Sequence, residues 1–367
     1  MSDWYTIENI DQLDTPALIV YPDRVKENIR ILISFVPDVN RLRPHVKTNK
    51  CAEVCKLMMD AGIYKFKCAT IAEAEMLALI GAPDALLAYQ PVGPKVSRLI
   101  ELIQKFPSTI FSCLIDNLES ATLLSEQALK NGLRISVYID LNVGMNRTGI
   151  LPEHALELFT KCNQLKGIAI RGLHAYDGQL RDSDLEIRRA KCDEGFNKAN
   201  ALKQEIEKQF GISLIMIAGG TPSFPIHAQR QEVECSPGTF IFWDKGYQQM
   251  LPEQPFLLAA LVATRIISKP GEDIITVDLG HKAIASENPI TNRVYFLNAP
   301  DLQPVGQSEE HLVLKTTVTT FNVGDVLYGA PHHICPTVAL HETMAVVENH
   351  QVTDSWQVVS RKRKISI

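Results

Sequence analysis

The chain has 367 residues, 46% of them hydrophobic and 22% charged, with a formal net charge of -5. That length suits two ordinary domains and the composition is that of a soluble globular protein. The charge argues against the domain-wide basic face that nucleic acid requires, no apolar stretch is long enough to span a bilayer, and Met1–Tyr5, without a basic region and apolar run, are not expected to begin a signal segment.

The first forty residues hold one extended segment, Ala17–Tyr21, and then a helix from about Asp23 to Phe35. From residue 40 to 245, short apolar or β-branched runs alternate with segments of helical period. The predicted strands are Leu42–Thr48, Phe66–Ile71, Ala85–Pro91, Phe111–Asn117, Ile135–Asn142, Ile170–Asp177, Leu214–Gly220 and Cys235–Trp243. Apolar strands separated by helices mean βα units and a parallel sheet, and eight of them close a (β/α)8 TIM-type barrel, an α/β fold. After about residue 250 the pattern changes. Val262–Ser268, Ile274–Asp278, Arg293–Leu297, His311–Thr320, Met344–Glu348 and Gln357–Arg361 read as strands without helices between them. The expected organisation is a barrel over residues 15–245 and a C-terminal β-rich domain over 246–367, with residues 1–14 a candidate addition to the latter. The eight cysteines are scattered and form no zinc-ribbon pattern, as expected of reduced thiols in a cytoplasmic protein.

Chemistry is expected first at Arg43-Pro44-His45-Val46-Lys47-Thr48-Asn49-Lys50. Proline holds Arg43 extended, and like charges lower the basicity of a lysine at a strand end, which prepares it to form a Schiff base. A basic surface run accounts for these eight residues equally well, so the rest of the chain has to decide. In a barrel, function sits at the C-terminal ends of the strands. Lys47, Asn142–Gly149, His174–Gly178 and Ala218–Thr221 fall at or just after predicted strand ends and Ser236–Thr239 lies in the eighth strand, so all five are expected to face one rim. Gly219-Gly220-Thr221 and Gly238-Thr239 belong to strands seven and eight, the usual phosphate site of this fold. Ordinary tight turns are the alternative. A phosphate site opposite a Schiff-base lysine describes pyridoxal 5'-phosphate, with Arg147 a partner for its phenolic oxygen and Tyr176 for its ring. In the β-rich domain, His333-Ile334-Cys335 spaces two metal-binding side chains on one face of an extended strand. A loop histidine and a buried thiol fit the same residues.

Taken together, Arg43–Lys50, Gly144–Gly149, His174–Gly178, Gly219–Thr221, Ser236–Thr239 and Pro331–Cys335 resemble the D-threonine aldolase / D-serine dehydratase family, which has the alanine racemase fold of fold type III pyridoxal-phosphate enzymes. The resemblance runs from about Asp14 to Arg361. It implies that Lys47 is the Schiff-base lysine, that Arg147 contacts the phenolic oxygen, and that Tyr176 lies by the ring. His45, Gly219, Gly220, Thr221, Gly238 and Thr239 would complete the cofactor site, and His333 with Cys335 would bind a divalent metal, Zn or Mn, that holds the substrate's β-hydroxyl. It further implies a homodimer, a small D-amino acid substrate, and neither nucleic acid nor membrane as partner. The expected reaction is retro-aldol cleavage of a D-configured 3-hydroxy amino acid to glycine and an aldehyde. D-Serine dehydration to pyruvate and ammonia is the alternative, and a non-catalytic cofactor-homeostasis protein the alternative of another class. Two departures matter. Asn49 stands where the family usually has histidine in Lys-Thr-His-Lys. No Ser-Tyr-Gly segment follows residue 250, the nearest being Leu327-Tyr328-Gly329, which argues against two-base racemisation.

Overall fold

The computed structural model describes residues 3–367. The chain divides into two compact units, one made of residues 32–47, 55–238 and 362–367, the other of residues up to 31, 48–54 and 239–361. β1 (Ala17–Val20) and α1 (Pro22–Ser34) come first, then α2 (Ala52–Asp60).

The larger unit is a curled parallel sheet of seven strands in sequential order: β2 (Lys65–Cys68), β3 (Asp84–Leu87), β4 (Ile110–Ile115), β5 (Ile135–Leu141), β6 (Ile168–Ala175), β7 (Ile215–Ala218) and β8 (Val233–Cys235). Helices α3 (Ile71–Leu79), α4 (Pro94–Lys105), α5 (Leu118–Lys130), α6 (Pro152–Cys162), α7 (Leu185–Phe210) and α8 (Phe224–Ala228) alternate with them. The strands are buried along nearly their whole length, as both-face burial requires. Side-chain caps set where helices begin. Thr70 accepts from the Glu73 N–H, Asn117 from Ser120, and Asp184 from Glu186 and Ile187.

The expected first barrel strand, Leu42–Thr48, is not a regular strand. It touches both edges of the sheet through single bridges, Leu42 with Cys235 and His45 with Lys67. The Arg43 and His45 N–H groups bond to the carbonyls of Cys235 and Pro237, and the Val46 N–H to Lys67. Pro44 lies between them and has no N–H to continue a ladder, so the segment closes the barrel without becoming a strand. Beneath it Arg43, 1% exposed, pairs with Asp84 at 2.5 Å and Glu234 at 2.7 Å. The eighth strand is not where it was expected: it runs Val233–Cys235 and shares only Cys235 with the predicted Cys235–Trp243, since the chain leaves the sheet before Pro237 and Thr239–Ile241 forms a 3-10 turn.

The second unit is built on β9 (Ala260–Gly271), which pairs with β1, β10 (Ile274–Val277) and a later strand, β14. After α9 (Lys245–Met250), the strands are β11 (Val294–Phe296), β12 (Gln303–Gln307), β13 (Leu312–Lys315), β14 (Val326–Pro331), β15 (Thr343–Glu348) and β16 (Gln351–Gln357), with α10 (Ile334–Leu340) between β14 and β15. β1 therefore belongs to this sheet, antiparallel to β9 and parallel to β15. The last strand is Gln351–Gln357 rather than Gln357–Arg361. Asn349 and His350 both take positive φ, 50° and 62°, so they form a two-residue hairpin turn that sends the chain straight back. The predicted strand through His333 and Cys335 is also corrected. Pro331 ends β14, His333 is the N-cap residue of α10, and Cys335 lies in its first turn. Pro336 accounts for this, since proline is tolerated in a helix's first turn but not in the interior of a sheet.

Candidate active site

In the barrel unit, His45, Lys47, Lys67, Asp140, Met145, Arg147, His174 and Tyr176 line one pocket enclosing about 450 Å³, its open mouth included. Tyr176 is its centre. Lys47 Nζ lies 5.8 Å, Lys67 Nζ 5.6 Å and the Arg147 guanidinium carbon 5.0 Å from the Tyr176 ring centroid. Two glycines abut the tyrosine. A Cβ at Gly220 would stand 2.8 Å from Tyr176 Cε2, and one at Gly178 would stand 2.2 Å from its hydroxyl. His45 braces the lysine segment, its Nδ1 accepting the Lys47 backbone N–H at 3.2 Å.

A hydrogen-bonded chain supports the pocket. Asp140 Oδ1 stands 2.7 Å from His174 Nδ1, and Asp140 Oδ2 accepts from Thr148 and Gln90, each at 2.9 Å. His174 Nε2 then stands 3.3 Å from Lys67 Nζ. With Nδ1–H donating to Asp140, Nε2 accepts from the lysine. Burial, then the Lys67 charge, holds the His174 pKa below the usual histidine value. Burial works against ionised Asp140, but hydrogen bonds from His174, Thr148 and Gln90 prevail and lower its pKa. Sequence reasoning missed Lys67 and Asp140 and gave His174 no role. The available signal was a lysine set between Phe66 and Cys68 in an apolar strand.

The glycine turns sit beside Tyr176. Gly219 has φ +79°, a left-handed conformation that suits glycine. The Gly220 N–H donates to Ser223 Oγ at 3.2 Å, and the Gly238 N–H to Thr221 Oγ1 at 3.1 Å, which ties the turns after β7 and β8 together. Beneath them is a second network that the sequence did not suggest. Asp177 Oδ1 accepts from Ser223 Oγ at 2.6 Å, and Asp177 Oδ2 pairs with His227 Nε2 at 2.8 Å. The ligand atoms of Asp177, Cys192 and His227 lie within 4.8 Å of one another, close enough for one metal ion. However, Arg230 bonds to His227 Nδ1 and approaches Cys192 Sγ at 3.7 Å, and burial pushes the Cys192 thiol up to about 12. A guanidinium and a protonated thiol make this a hydrogen-bond network that holds the Gly219–Ser223 turn.

The pocket fits pyridoxal 5'-phosphate on three counts. Two lysines and an arginine surround one aromatic ring, while the pocket's carboxylate, Asp140, is already bonded to His174, Thr148 and Gln90. The Tyr176–Gly220 contact leaves no room for a β-carbon. The buried Ser236 hydroxyl, two residues before Gly238, has no hydrogen-bond partner among the described residues.

In the second unit, Thr239 and the two predicted metal ligands come together. Cys335 Sγ stands 3.1 Å from Thr48 Oγ1 and 3.7 Å from Thr239 Oγ1. His333 Nδ1 stands 2.5 Å from Glu287 Oε1. Burial disfavours protonated His333, but bonding to Cys335 and Glu287 carries its pKa up to about 9. An imidazole oriented by a carboxylate beside a thiol is a donor set that fits zinc with positions left open. Asn49, the departure from the family motif, acts locally. Its Oδ1 accepts the Cys51 N–H at 3.0 Å at the entry to α2.

Residues 20–245 match the family described as alanine racemase, N-terminal domain, and residues 259–347 match a serine dehydratase domain. The chain is 26% identical to the D-threonine aldolase of Arthrobacter sp., over 95% of this chain and 93% of that one. It is 25% identical to the 3-hydroxy-D-aspartate aldolase of Paracoccus denitrificans, over 95% and 92%. Among solved structures, the D-threonine aldolase of Filomicrobium marinum is similar, with a TM-score of 0.87 and 25% identity, covering 97% of this chain and 98% of that one.

Proposed function

The chain belongs to the alanine racemase N-terminal domain family, and from that premise we propose that it is a pyridoxal-phosphate- and divalent-metal-dependent lyase cleaving a D-configured 3-hydroxy amino acid to glycine and an aldehyde. The observation that carries the reading is the grouping of Lys47, Lys67 and Arg147 on Tyr176, with the glycine turn pressed against that ring.

In this reading Lys47 is the covalent attachment point and Arg147 pairs with the phenolic oxygen. Tyr176 lies against the ring, while His45, Gly219, Gly220, Thr221, Gly238 and the Ser236 hydroxyl complete the cradle. The bound cofactor supplies an electron sink for charge developing at the substrate Cα. His333 and Cys335 would hold the metal, which would supply Lewis acidity toward the β-oxygen. The protein's own work is orientation and proton handling. Asp140 fixes the His174 tautomer, and the free amine of Lys47 would be a proton-transfer group inside the pocket. A homodimer is the assembly this reading expects, and sedimentation of the loaded protein tests it.

A second reading is dehydration to a keto acid and ammonia. The Cys335 thiol favours it, because a thiolate ligand leans toward zinc, which suits hydroxide departure from the β-carbon. Incubation with D-threonine and D-serine separates the two. Glycine with an aldehyde marks the aldolase, and keto acid with ammonia marks the dehydratase. Neither product, from protein loaded with cofactor and metal, overturns both.

A further inference from the structure

Arg43 and Lys67 are both buried cations of the barrel unit, and the structure treats them differently. Arg43 is matched by the carboxylates of Asp84 and Glu234. Lys67, 2% exposed, is hydrogen-bonded instead to His174 Nε2, a ring whose own proton is committed to Asp140. Buried Arg41 is matched by backbone carbonyls, whereas the partner of Lys67 is a titratable ring that lines the same pocket, and burying an ammonium without a carboxylate or carbonyl partner is costly. Lys67 also lines the pocket and, like Lys47, approaches Tyr176.

We propose that Lys67 is a second proton-transfer amine of this active site, with the Asp140–His174 pair governing its charge. Resting on the lyase reading above, the assignment gives the reaction a second proton-transfer group. Cleavage takes one proton from the β-hydroxyl and delivers one to Cα. The Cα–Cβ electron pair stays on Cα until that proton arrives, and the oxygen's electron pair closes the aldehyde carbonyl. The two transfers balance, so an amine that accepts a proton and a second that returns one need no outside acid or oxidant. Neutral Lys67 Nζ takes the proton from the β-hydroxyl, and Lys47 Nζ, holding the proton that the substrate's ammonium gives up on entry, delivers one to Cα.

The electrostatics agree. Burial, then the Lys47 charge, draws the Lys67 pKa down to about 7. Arg43 acts in the same direction, Asp140 and Asp177 oppose it, and Arg147 flanks the same tyrosine. A neutral amine keeps one N–H on His174 and leaves its lone pair for a proton from the pocket. When that proton arrives, Asp140 acting through His174 stabilises the ammonium.

The test uses Lys67→Met and Lys67→Arg in the full chain. Arginine keeps the charge and a donor but does not deprotonate near neutrality. Lysine side-chain NMR of wild type, with and without pyridoxal phosphate, should show one amine titrating near pH 7, absent in both variants. With D-threonine as substrate, both variants should keep the visible cofactor band yet lose about 100-fold in kcat, the usual share of a general acid–base. KM should change little, and the limb of the pH profile near 7 should disappear. An arginine variant with wild-type kcat and pH profile, or a Lys67 amine titrating near 10, overturns the proposal. Should Lys67→Met fail to fold, the arginine variant and the wild-type titration decide. Should wild type cleave no D-3-hydroxy amino acid, the lyase reading fails separately. Titration and α-hydrogen exchange of glycine in D2O then still decide the role of Lys67.

Discussion

Gly220 and Tyr176 are packed so closely that a β-carbon on the first would stand 2.8 Å from Cε2 of the second. Tyr176 in turn is approached by Lys47, Lys67 and Arg147, so any shift of its ring disturbs all three. Gly220→Ala should therefore weaken pyridoxal-phosphate retention by ~10-fold or more, about 1.4 kcal/mol. Spectral titration of the variant measures this directly. Unchanged affinity would show that the turn has no part in the cofactor site.

Lys47 is the residue on which the cofactor assignment stands. Borohydride should fix pyridoxal phosphate to Lys47, read as a single modified peptide by mass spectrometry. Lys47→Ala should lose at least ~3 orders of magnitude in turnover, as removal of a covalent nucleophile does. Modification of Lys67 in its place would exchange the roles assigned to the two amines.

What the sequence makes legible here is what local pattern encodes. Apolar runs alternating with helix-period segments reveal the parallel sheet, and the loss of that alternation after residue 250 reveals the β-rich unit. Strand ends then place His45, Lys47, Arg147 and Tyr176 on one rim without any knowledge of contacts. What stays hidden depends on pairing across the sheet. Lys67 and His174 are 107 positions apart, and Asp177 and His227 are 50 apart. No periodicity links them. Proline separates expectation from structure at two places for one reason, since a missing N–H at Pro44 leaves the closing segment irregular and Pro336 favours a helix's first turn over a strand.

Arg43 belongs to the motif that suggested chemistry, yet its side chain is structural. Its guanidinium, 1% exposed, joins Asp84 to Glu234, and Glu234 also takes Lys65 at 2.5 Å. Arg43→Ala leaves the nearly buried Glu234 with only a partly exposed lysine. A loss of about 3–5 kcal/mol is expected, as for removing one partner of a buried pair. Denaturant unfolding measures it. A loss below about 1 kcal/mol would mean that water reaches Glu234 and the network is not sealed.

The metal assignment is tested one ligand at a time. His333→Ala and Cys335→Ala should each lose bound metal and abolish lyase activity, while the visible cofactor band persists because Lys47 is untouched. Glu287→Gln should lower metal affinity about 10–100-fold, since a carboxylate on Nδ1 orients the ligating ring. Full activity of both ligand variants in the presence of chelator would make the pair structural. Loss of the cofactor band together with the metal would assign the pair to folding.

Below neutrality stability should fall on acidification in two steps, and His174 contributes to the first. Its pKa in the folded protein lies below the usual histidine value because burial and Lys67 oppose its charge. As pH falls through about 6.5, the unfolded chain takes up a proton that the folded protein refuses, so unfolding becomes easier. Asp140 has the opposite chemistry. Its folded pKa is depressed, so the stability it contributes is present above about 3.9 and is lost only as pH falls through the lower folded value. Lys67 acts on the alkaline side, where stability declines as pH drops from about 10.4 toward its folded pKa near 7 and then levels off. Denaturant midpoints at pH 7.5 and 5.5 bracket the first step, to which His332 and His341, whose pKa burial also lowers, and the end of the Lys67 titration add. His174→Phe should shrink the difference between them, even if it lowers both by stranding Asp140. An undiminished difference in that variant would place the acid-sensitive group elsewhere in the fold.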